Sequence, residues 1–286
     1  MIHFGPAGNC DRFYEEGYKA SAQAPAWIAA QGLSAYEYAA GHGVALKEET
    51  ARLIGEAAKE HRISVSIHAP YYINCGSPEE EKQLSSIDYL LKSAQAVLWM
   101  GGNRVIFHVG SPGKRRREAA FEDACKVLQA ARIALDEAGF EHIHLCPETM
   151  GRPSQIGTLD EILHLCKADE RMIPTIDFGH LHTAGCGCMK DEAAFEQVIS
   201  RMITVLGVER CRHFHSHFSK IAYTAKGEKM HMTFADDGYG PEFHHLAPVI
   251  KKYGLEPTII CESRGTQADD ALIMKEIYSS ISASER

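Results

Sequence analysis

Short runs of apolar residues alternate with longer amphipathic stretches along the whole chain. In the longer stretches the apolar residues recur at helical spacing; between residues 44 and 61, for example, Leu46, Leu53, Ile54 and Ala57 lie on one stripe. The short runs are rich in β-branched residues and predict strands. The eight predicted strands are residues 2–4, 34–39, 63–67, 104–107, 142–146, 173–176, 212–215 and 258–261.

The order of these elements predicts the fold. Helices are predicted for residues 44–61, 79–100, 114–138, 191–206, 243–253 and 269–281, and Thr158 and Glu161 have the spacing of a capping box that begins another helix. A strand, a helix and a further buried strand form the unit of a parallel sheet. An open doubly wound sheet is the alternative, but the first strand is not followed by a Gly-x-Gly-x-x-Gly motif. We therefore predict an α/β protein, a single (β/α)8 TIM barrel over residues 1–286.

Composition narrows the class of protein. The 286 residues include 38 acidic and 30 basic side chains, and the formal net charge of −8 argues against broad nonspecific attraction to nucleic acid. Nine cysteines and the lack of a signal-like N-terminus predict a cytoplasmic protein rather than a disulfide framework. The apolar runs are too short for a membrane span, and we expect a monomer. Sixteen histidines favour metal or acid–base chemistry.

Six of the predicted strands end in residue types that bind metals. In a parallel barrel the carboxyl ends of the strands converge on one mouth, which is where we expect the active site. Imidazole and carboxylate ligands suit Zn²⁺, and also Mn²⁺ or Fe²⁺. A carboxylate that bridges two ions would hold them close together, and such a pair of ions can bind both the attacking and the leaving oxygen of a phosphoryl transfer. The six residues are His68, His108, Glu148, Asp177, His215 and Glu262.

Each of these residues also has an ordinary structural interpretation. His68 precedes Ala-Pro and could lie in a turn, Asp177 could cap a helix, and Glu262 could form an ion pair with Arg264. What favours a metal centre is the joint occurrence of six such residues at successive strand ends.

The same residues carry a resemblance to a known family. The chain resembles endonuclease IV, the AP endonuclease family 2 branch of the xylose isomerase-like TIM barrels, over nearly its whole length and in the same order. The matching motifs are His68-Ala-Pro-Tyr-Tyr-Ile-Asn74, Phe-His108-Val-Gly-Ser111, Pro-Glu148-Thr-Met-Gly, Ile-Asp177-Phe-Gly-His180, His215-Ser-His-Phe-Ser-Lys220 and Cys-Glu262-Ser.

This resemblance implies a trinuclear zinc site that hydrolyses the phosphodiester 5′ to an abasic site in DNA, with a bound hydroxide as the nucleophile. Glu148 and Glu262 would be the central catalytic carboxylates. By matching motif, the first ion would be held by His68, His108 and Glu148. The second would be held by Glu148, Asp177, His215 and Glu262, and the third by His180 and His231.

The chain departs from the family pattern at the third ion. The family has an Asp-x-His pair where this chain reads Lys229-Met230-His231, so the aspartate is missing in the simplest alignment. Asp236 and Asp237 are the alternative donors. Without them the third site would be weak, or the centre would hold two ions.

A second departure concerns DNA recognition. The family's recognition loop after the second strand carries an Asn-Gln-Arg-x-Trp-like segment, whereas residues 39–44 here contain neither arginine nor an aromatic wedge. Tyr71 and Tyr72 follow His68 and could stack on an exposed base or pack against the barrel rim. Lys220 could contact a phosphate or sugar oxygen. The run at residues 114–117 could bind phosphates or form a solvated face.

Two enzymatic functions therefore remain open. One is a phosphodiesterase acting on DNA that contains abasic sites. The other is an isomerase or epimerase of a small sugar or sugar phosphate, in which Glu148 and Glu262 would transfer a proton across one or two ions. A non-enzymatic metal scaffold has less support, because open His/carboxylate sites are usually catalytic. His180 and His231 favour the phosphodiesterase, because a sugar isomerase of this fold usually needs fewer imidazoles.

Overall fold

The structure is a computed structural model that describes residues 1–281. Its strands are eight parallel strands and one antiparallel hairpin. The last five residues of the predicted domain lie outside this range. The hairpin lies within residues 220–232, and the other strands are parallel. The strands are β1 (His3–Pro6), β2 (Ala35–Ala39), β3 (Ser64–His68), β4 (Arg104–Phe107), β5 (His144–Pro147), β6 (Thr175–Asp177), β7 (His215–Phe218), β8 (Lys220–Thr224), β9 (Gly227–Met232) and β10 (Thr258–Cys261).

The parallel strands close into a TIM barrel, as predicted. Four of them pair in the order β2-β3-β4-β5 and four in the order β1-β10-β7-β6. Single bridges join the two halves, from Ala7 to Glu37 on one side and from Glu148 to Thr175 on the other. The strands are almost wholly buried, because the barrel interior covers one face and the helices cover the other.

The helices surround the barrel and bury their apolar stripes against it. Thr158 caps the helix of residues 159–168 as predicted: its Oγ1 accepts from the Glu161 backbone N–H at 3.3 Å, and Glu161 accepts from the Thr158 N–H at 2.9 Å. None of the helices within residues 1–281 is long and apolar enough to cross a membrane. The helices are α1 (Asp11–Glu15), α2 (Ala24–Ala30), α3 (Glu48–His61), α4 (Glu80–Trp99), α5 (Arg117–Glu137), α6 (Leu159–Ala168), α7 (Phe178–Ala184), α8 (Glu192–Leu206), α9 (Val208–Cys211), α10 (Phe243–Lys252) and α11 (Gln267–Ser280).

The main differences from the predicted elements lie around the seventh barrel strand. Residues 212–215 were predicted as that strand, but β7 begins at His215 and ends at Phe218. It is followed at once by the β8–β9 hairpin, which the sequence pattern did not predict. Both differences change the composition of the site at the barrel mouth.

Candidate metal centre

The first ligand group lies at the ends of β3, β4 and β5. His68, His108 and Glu148 bring one ligand atom each to within 4.8 Å of one another, as the sequence predicts. Glu148 Oε2 lies 3.3 Å from His68 Nε2 and 3.2 Å from His108 Nε2. Because the strands deliver these side chains from their carboxyl ends, the group faces the mouth of the barrel.

The second ligand group shares Glu148 with the first. Its members are Glu148, Asp177, His217 and Glu262. Glu148 Oε1 lies 3.0 Å from His217 Nδ1, and Glu262 Oε2 lies 3.5 Å from the same nitrogen. One oxygen of Glu148 therefore faces each group, which is the arrangement a bridging carboxylate requires.

The histidine of this group is His217, and not the predicted His215. Both residues are fully buried on β7, and both side chains point to the barrel interior because they are two positions apart in a strand. His215 lies one level deeper, with its Nε2 3.0 Å from Glu37 Oε2. The structure differs from the prediction because the predicted strand begins three residues too early, which makes His215 its last residue.

A third ligand group lies between α7 and the hairpin, and it consists of His180, Glu228 and His231. Glu228 lies 3.2 Å from His180 Nε2 and 3.8 Å from His231 Nε2. Glu228 thus supplies the carboxylate that the Lys229-Met230-His231 sequence lacks. The alternative donors do not join the group: Asp236 accepts from Thr233 N–H and hydroxyl, and Asp237 is exposed.

A β-bulge explains how Glu228 reaches the same side as His231. In a regular strand, residues three apart point to opposite faces. In the hairpin, Ala222 pairs with Met230 but Tyr223 pairs with Glu228, so Lys229 is an extra residue on β9. One extra residue shifts the alternation by one position, and Glu228 and His231 therefore share a face.

In four of the histidines, one ring nitrogen contacts a protein group outside the three ligand groups, and the other ring nitrogen faces a ligand group. His68 Nδ1 is 2.9 Å from the Ala69 carbonyl, and His180 Nδ1 is 2.9 Å from the Thr149 carbonyl. His231 Nδ1 is 2.7 Å from Ser219 Oγ. His217 Nε2 is 2.8 Å from Glu37 Oε1. Such outer partners are typical of metal-binding histidines, because they fix the tautomer and the orientation of the ring.

The electrostatics of the centre also fit bound cations. Burial raises the pKa of Asp177 to about 6, with repulsion from Glu262 and Glu148 adding to the effect and His180 opposing it. Burial alone would lower the pKa of His217, but its carboxylate neighbours outweigh burial and raise it. The hydrogen bond with His180 is the main cause that lowers the pKa of Glu228 to about 2. Divalent ions would replace the protons that these groups otherwise share.

Asp177 and Glu262 differ in how far their ordinary structural interpretations hold. Asp177 does cap a helix, since its Oδ1 accepts from the His180 backbone N–H at 2.7 Å, but Oδ2 remains 3.2 Å from His180 Nδ1. Within residues 1–281, the ion pairs of Glu262 are formed with His217 and His231 rather than with Arg264. Asp177 therefore caps this helix and also belongs to the second ligand group.

The predicted substrate-binding residues differ in their surroundings. Tyr71 is 58% exposed, and its ring centre lies 5.7 Å from that of His68 and 5.6 Å from that of His108. It also lines a cavity of about 200 Å³ at the mouth together with His231 and Glu262. Tyr72 is equally exposed but packs against Tyr89 of α4.

Lys220 is buried and contacts the loop after β9. Its Nζ donates to the carbonyls of Phe234 and Asp236 at 3.0 and 3.2 Å, and lies 3.1 Å from Glu242. These contacts give Lys220 a structural role in the loop after β9, and its contact with a substrate stays a prediction.

The basic run at residues 114–117 is largely committed to ion pairs. Arg115 pairs with Asp123, and Arg117 pairs with Glu161. Arg116 remains mostly exposed beside Glu118. These contacts favour the interpretation as a structural and solvated surface.

A family model described as a xylose isomerase-like TIM barrel, with the family designation AP endonuclease 2, matches residues 25–279. The chain belongs to this family. An uncharacterized protein of Methanocaldococcus jannaschii is 32% identical over 233 residues, which are 82% of this chain and 83% of that protein. A probable endonuclease 4 of Mycoplasma pneumoniae is 27% identical over 179 residues, which are 60% of this chain and 59% of that protein.

Solved structures confirm the fold. Endonuclease IV of Thermus thermophilus aligns with a TM-score of 0.67 at 20% identity and covers 97% of this chain and 98% of that one. A D-tagatose 3-epimerase-like protein aligns with a TM-score of 0.70 at 16% identity and covers 97% of this chain and 96% of that one. At these identities the likeness concerns the fold alone, and the function must be argued from the site.

Proposed function

We propose that this protein is a multinuclear metal-dependent phosphodiesterase that cleaves DNA on the 5′ side of abasic sites. The observation that carries the proposal is the third ligand group, His180, Glu228 and His231, beside two groups that share Glu148. A sugar isomerase of this fold usually needs fewer imidazoles. Three adjoining groups match the trinuclear arrangement that the motif resemblance implies.

The residues of the chain prepare this centre in defined ways. Glu148 would bridge the first and second ions, Asp177, His217 and Glu262 would complete the second, and the third group would hold the third. Ions bound there, with zinc the expected metal and manganese or iron(II) the alternatives, would stabilise charge on phosphoryl oxygens and lower the pKa of a bound water. The backbone carbonyls of Ala69 and Thr149 hold the outer nitrogens of His68 and His180, which keeps both rings oriented before substrate arrives.

Tyr71 is the residue that we propose to contact the substrate. Its exposed ring lies over His68 and His108 at the edge of the cavity, where a base or sugar displaced from a duplex could stack on it. The loop of residues 40–47 contains no arginine, tryptophan, tyrosine or phenylalanine for insertion into the double helix. We therefore expect modest duplex affinity, with recognition concentrated at the lesion.

The test is incision of a duplex that carries one abasic site by zinc- or manganese-loaded protein. We expect metal-dependent cleavage 5′ to the lesion, and Glu228→Gln should reduce it at least about 10- to 100-fold because it replaces the anionic ligand of the third group by a neutral amide. Lys229→Ala is the matched control, since Lys229 is the neighbouring bulge residue and not a member of the group. A metal-replete protein that leaves the abasic duplex intact would refute the DNA substrate.

A second candidate is epimerisation or isomerisation of a small sugar or sugar phosphate. The cavity of about 200 Å³ lined by Tyr71, His231 and Glu262 favours it, because this volume suits one small molecule. Glu148 and Glu262 would then be the proton-transfer pair. The two candidates respond differently to Glu228→Gln: this change should reduce phosphodiester cleavage at least about 10- to 100-fold, whereas an epimerase that uses the Glu148 groups should retain most of its activity.

A further inference from the structure

Glu37 is a fully buried carboxylate in the middle of β2, below the three ligand groups. Its Oε1 lies 2.8 Å from His217 Nε2, and its Oε2 accepts a hydrogen bond from Ser66 Oγ at 2.8 Å. We propose that Glu37 is a positioning residue that orients His217 as a metal ligand. The inference rests on the metal centre of the proposed function, but it concerns metal affinity and holds for either candidate substrate.

The two ring nitrogens of His217 face different partners. Nε2 faces Glu37, while Nδ1 faces the second ligand group, 3.0 Å from Glu148 Oε1. A neutral imidazole carries one N–H and one lone pair. If Nε2–H donates to Glu37, the lone pair must be on Nδ1, which is the atom in the ligand group. A carboxylate behind a histidine fixes the tautomer and the ring orientation, and increases the basicity of the ligand nitrogen.

Ser66 holds Glu37 in this orientation. Its hydroxyl donates to the oxygen of Glu37 that does not face His217, so both carboxylate oxygens have partners on different strands. Residues 37, 66 and 217 come from β2, β3 and β7, so the contact crosses the barrel interior. A carboxylate held from both sides cannot rotate away from His217 without losing a buried hydrogen bond.

A second interpretation of the same atoms is that Glu37 is itself a metal ligand. The ligand atoms of Glu37, His215 and His217 lie within 4.8 Å of one another. The Nε2 of His215 is 3.0 Å from Glu37 Oε2 but is not aligned for a hydrogen bond, and both of its ring nitrogens are buried without a hydrogen-bond partner within the described part of the chain. The positioning role explains more, because it uses the Ser66 contact and leaves His217 Nδ1 free for the second group. The metal count decides between the two.

The test measures metal binding in Glu37→Gln, Glu37→Ala and Ser66→Ala. The amide oxygen of glutamine can still accept from His217, so we expect a smaller loss in Glu37→Gln than in Glu37→Ala. Zinc affinity of one site, from competition with a chromophoric chelator, should fall about 10- to 100-fold in Glu37→Ala and less in Ser66→Ala. The visible absorption of the cobalt-loaded protein should shift in the same order, while the number of ions bound at saturation stays unchanged.

Tyr36→Phe is the matched control. Tyr36 is the neighbouring buried residue of β2, and its hydroxyl donates to Asn9 at 3.0 Å, away from His217. This change should lower the melting temperature without altering zinc affinity or the cobalt spectrum. If Glu37→Ala does not fold, Glu37→Gln and Ser66→Ala carry the test.

Three results would overturn the proposal. Zinc affinity within twofold of the wild type in all three variants would exclude a positioning role. An equal loss of affinity in Tyr36→Phe would show a general effect on folding. A metal count that falls by one at saturation in Glu37→Gln would make Glu37 a direct ligand. None of these measurements uses DNA or sugar. If the protein does not cleave abasic DNA, the result for Glu37 is unaffected, and if Glu37 does not position His217, the proposed substrate is unaffected.

Discussion

The bulge at Lys229 leads to a specific prediction about the third ligand group. Glu228 stands between two imidazoles, 3.2 Å from His180 and 3.8 Å from His231. Glu228→Gln removes the charge and should empty this group, so that the protein binds one ion fewer. Deletion of Lys229 should leave the third ligand group intact. It removes the bulge and brings Glu228 two positions before His231, and residues two apart in a regular strand lie on the same face.

The size of the effect follows from the loss of a ligand. Changes in outer partners of metal ligands cost about 10- to 100-fold in affinity, and a direct ligand should cost at least that much. At a fixed excess of zinc, this removes about 1.4–2.8 kcal/mol of metal-linked stabilisation. For a chain of this size, 1 kcal/mol corresponds to roughly 2–4 °C in melting temperature. The rise in melting temperature that zinc produces should therefore be roughly 3–11 °C smaller in Glu228→Gln than in the wild type.

The assay is a thermal melt with and without zinc, combined with metal analysis after gel filtration. Lys229→Ala is the control, since it keeps the bulge length and all three ligands. The reasoning would be refuted if Glu228→Gln kept both the metal count and the zinc-dependent gain of the wild type. It would also be refuted if deletion of Lys229 in a folded protein removed an ion.

Three further predictions concern the other parts of the centre. Removal of metal with a strong chelator should lower the melting temperature by roughly 5 °C or more, because ions at about 100 times their dissociation constant contribute about 2.7 kcal/mol; an unchanged melt would argue against a filled centre. His217→Ala should lower the metal count measured by elemental analysis, whereas His215→Ala should lower stability but keep the count; the reverse result would restore the predicted His215 as the ligand. Tyr71→Ala should raise KM for the abasic duplex about 10-fold with little change in metal content, as expected from the loss of about 1–3 kcal/mol of stacking, and an unchanged KM would remove Tyr71 from the substrate site.

The barrel and most of its mouth could be predicted from sequence because the strands are short, apolar and end in distinctive residues. The structure places β4 at Arg104–Phe107 and β10 at Thr258–Cys261, with the predicted bounds. His68, His108, Glu148, Asp177 and Glu262 converge because strand ends in a barrel share one edge. At these positions the local pattern and the overall fold specify the same geometry.

The remaining residues depend on register, which the pattern of apolar residues does not specify. His215 and His217 lie two apart on one face of β7, so only the end of the strand decides which one reaches the mouth. Glu228 depends on a bulge, which breaks the alternation used to read strands. Glu37 lies in the middle of β2. A search for ligands at the ends of strands therefore does not find it.

The position of bound ions tests the central claim most directly. Anomalous scattering from crystals of the zinc-loaded protein would locate each ion against its ligands. The account predicts three ions, with Glu148 between the first two, His217 on the second, and Glu228 with His180 and His231 on the third. A single ion, or a second ion held by His215 instead of His217, would contradict it.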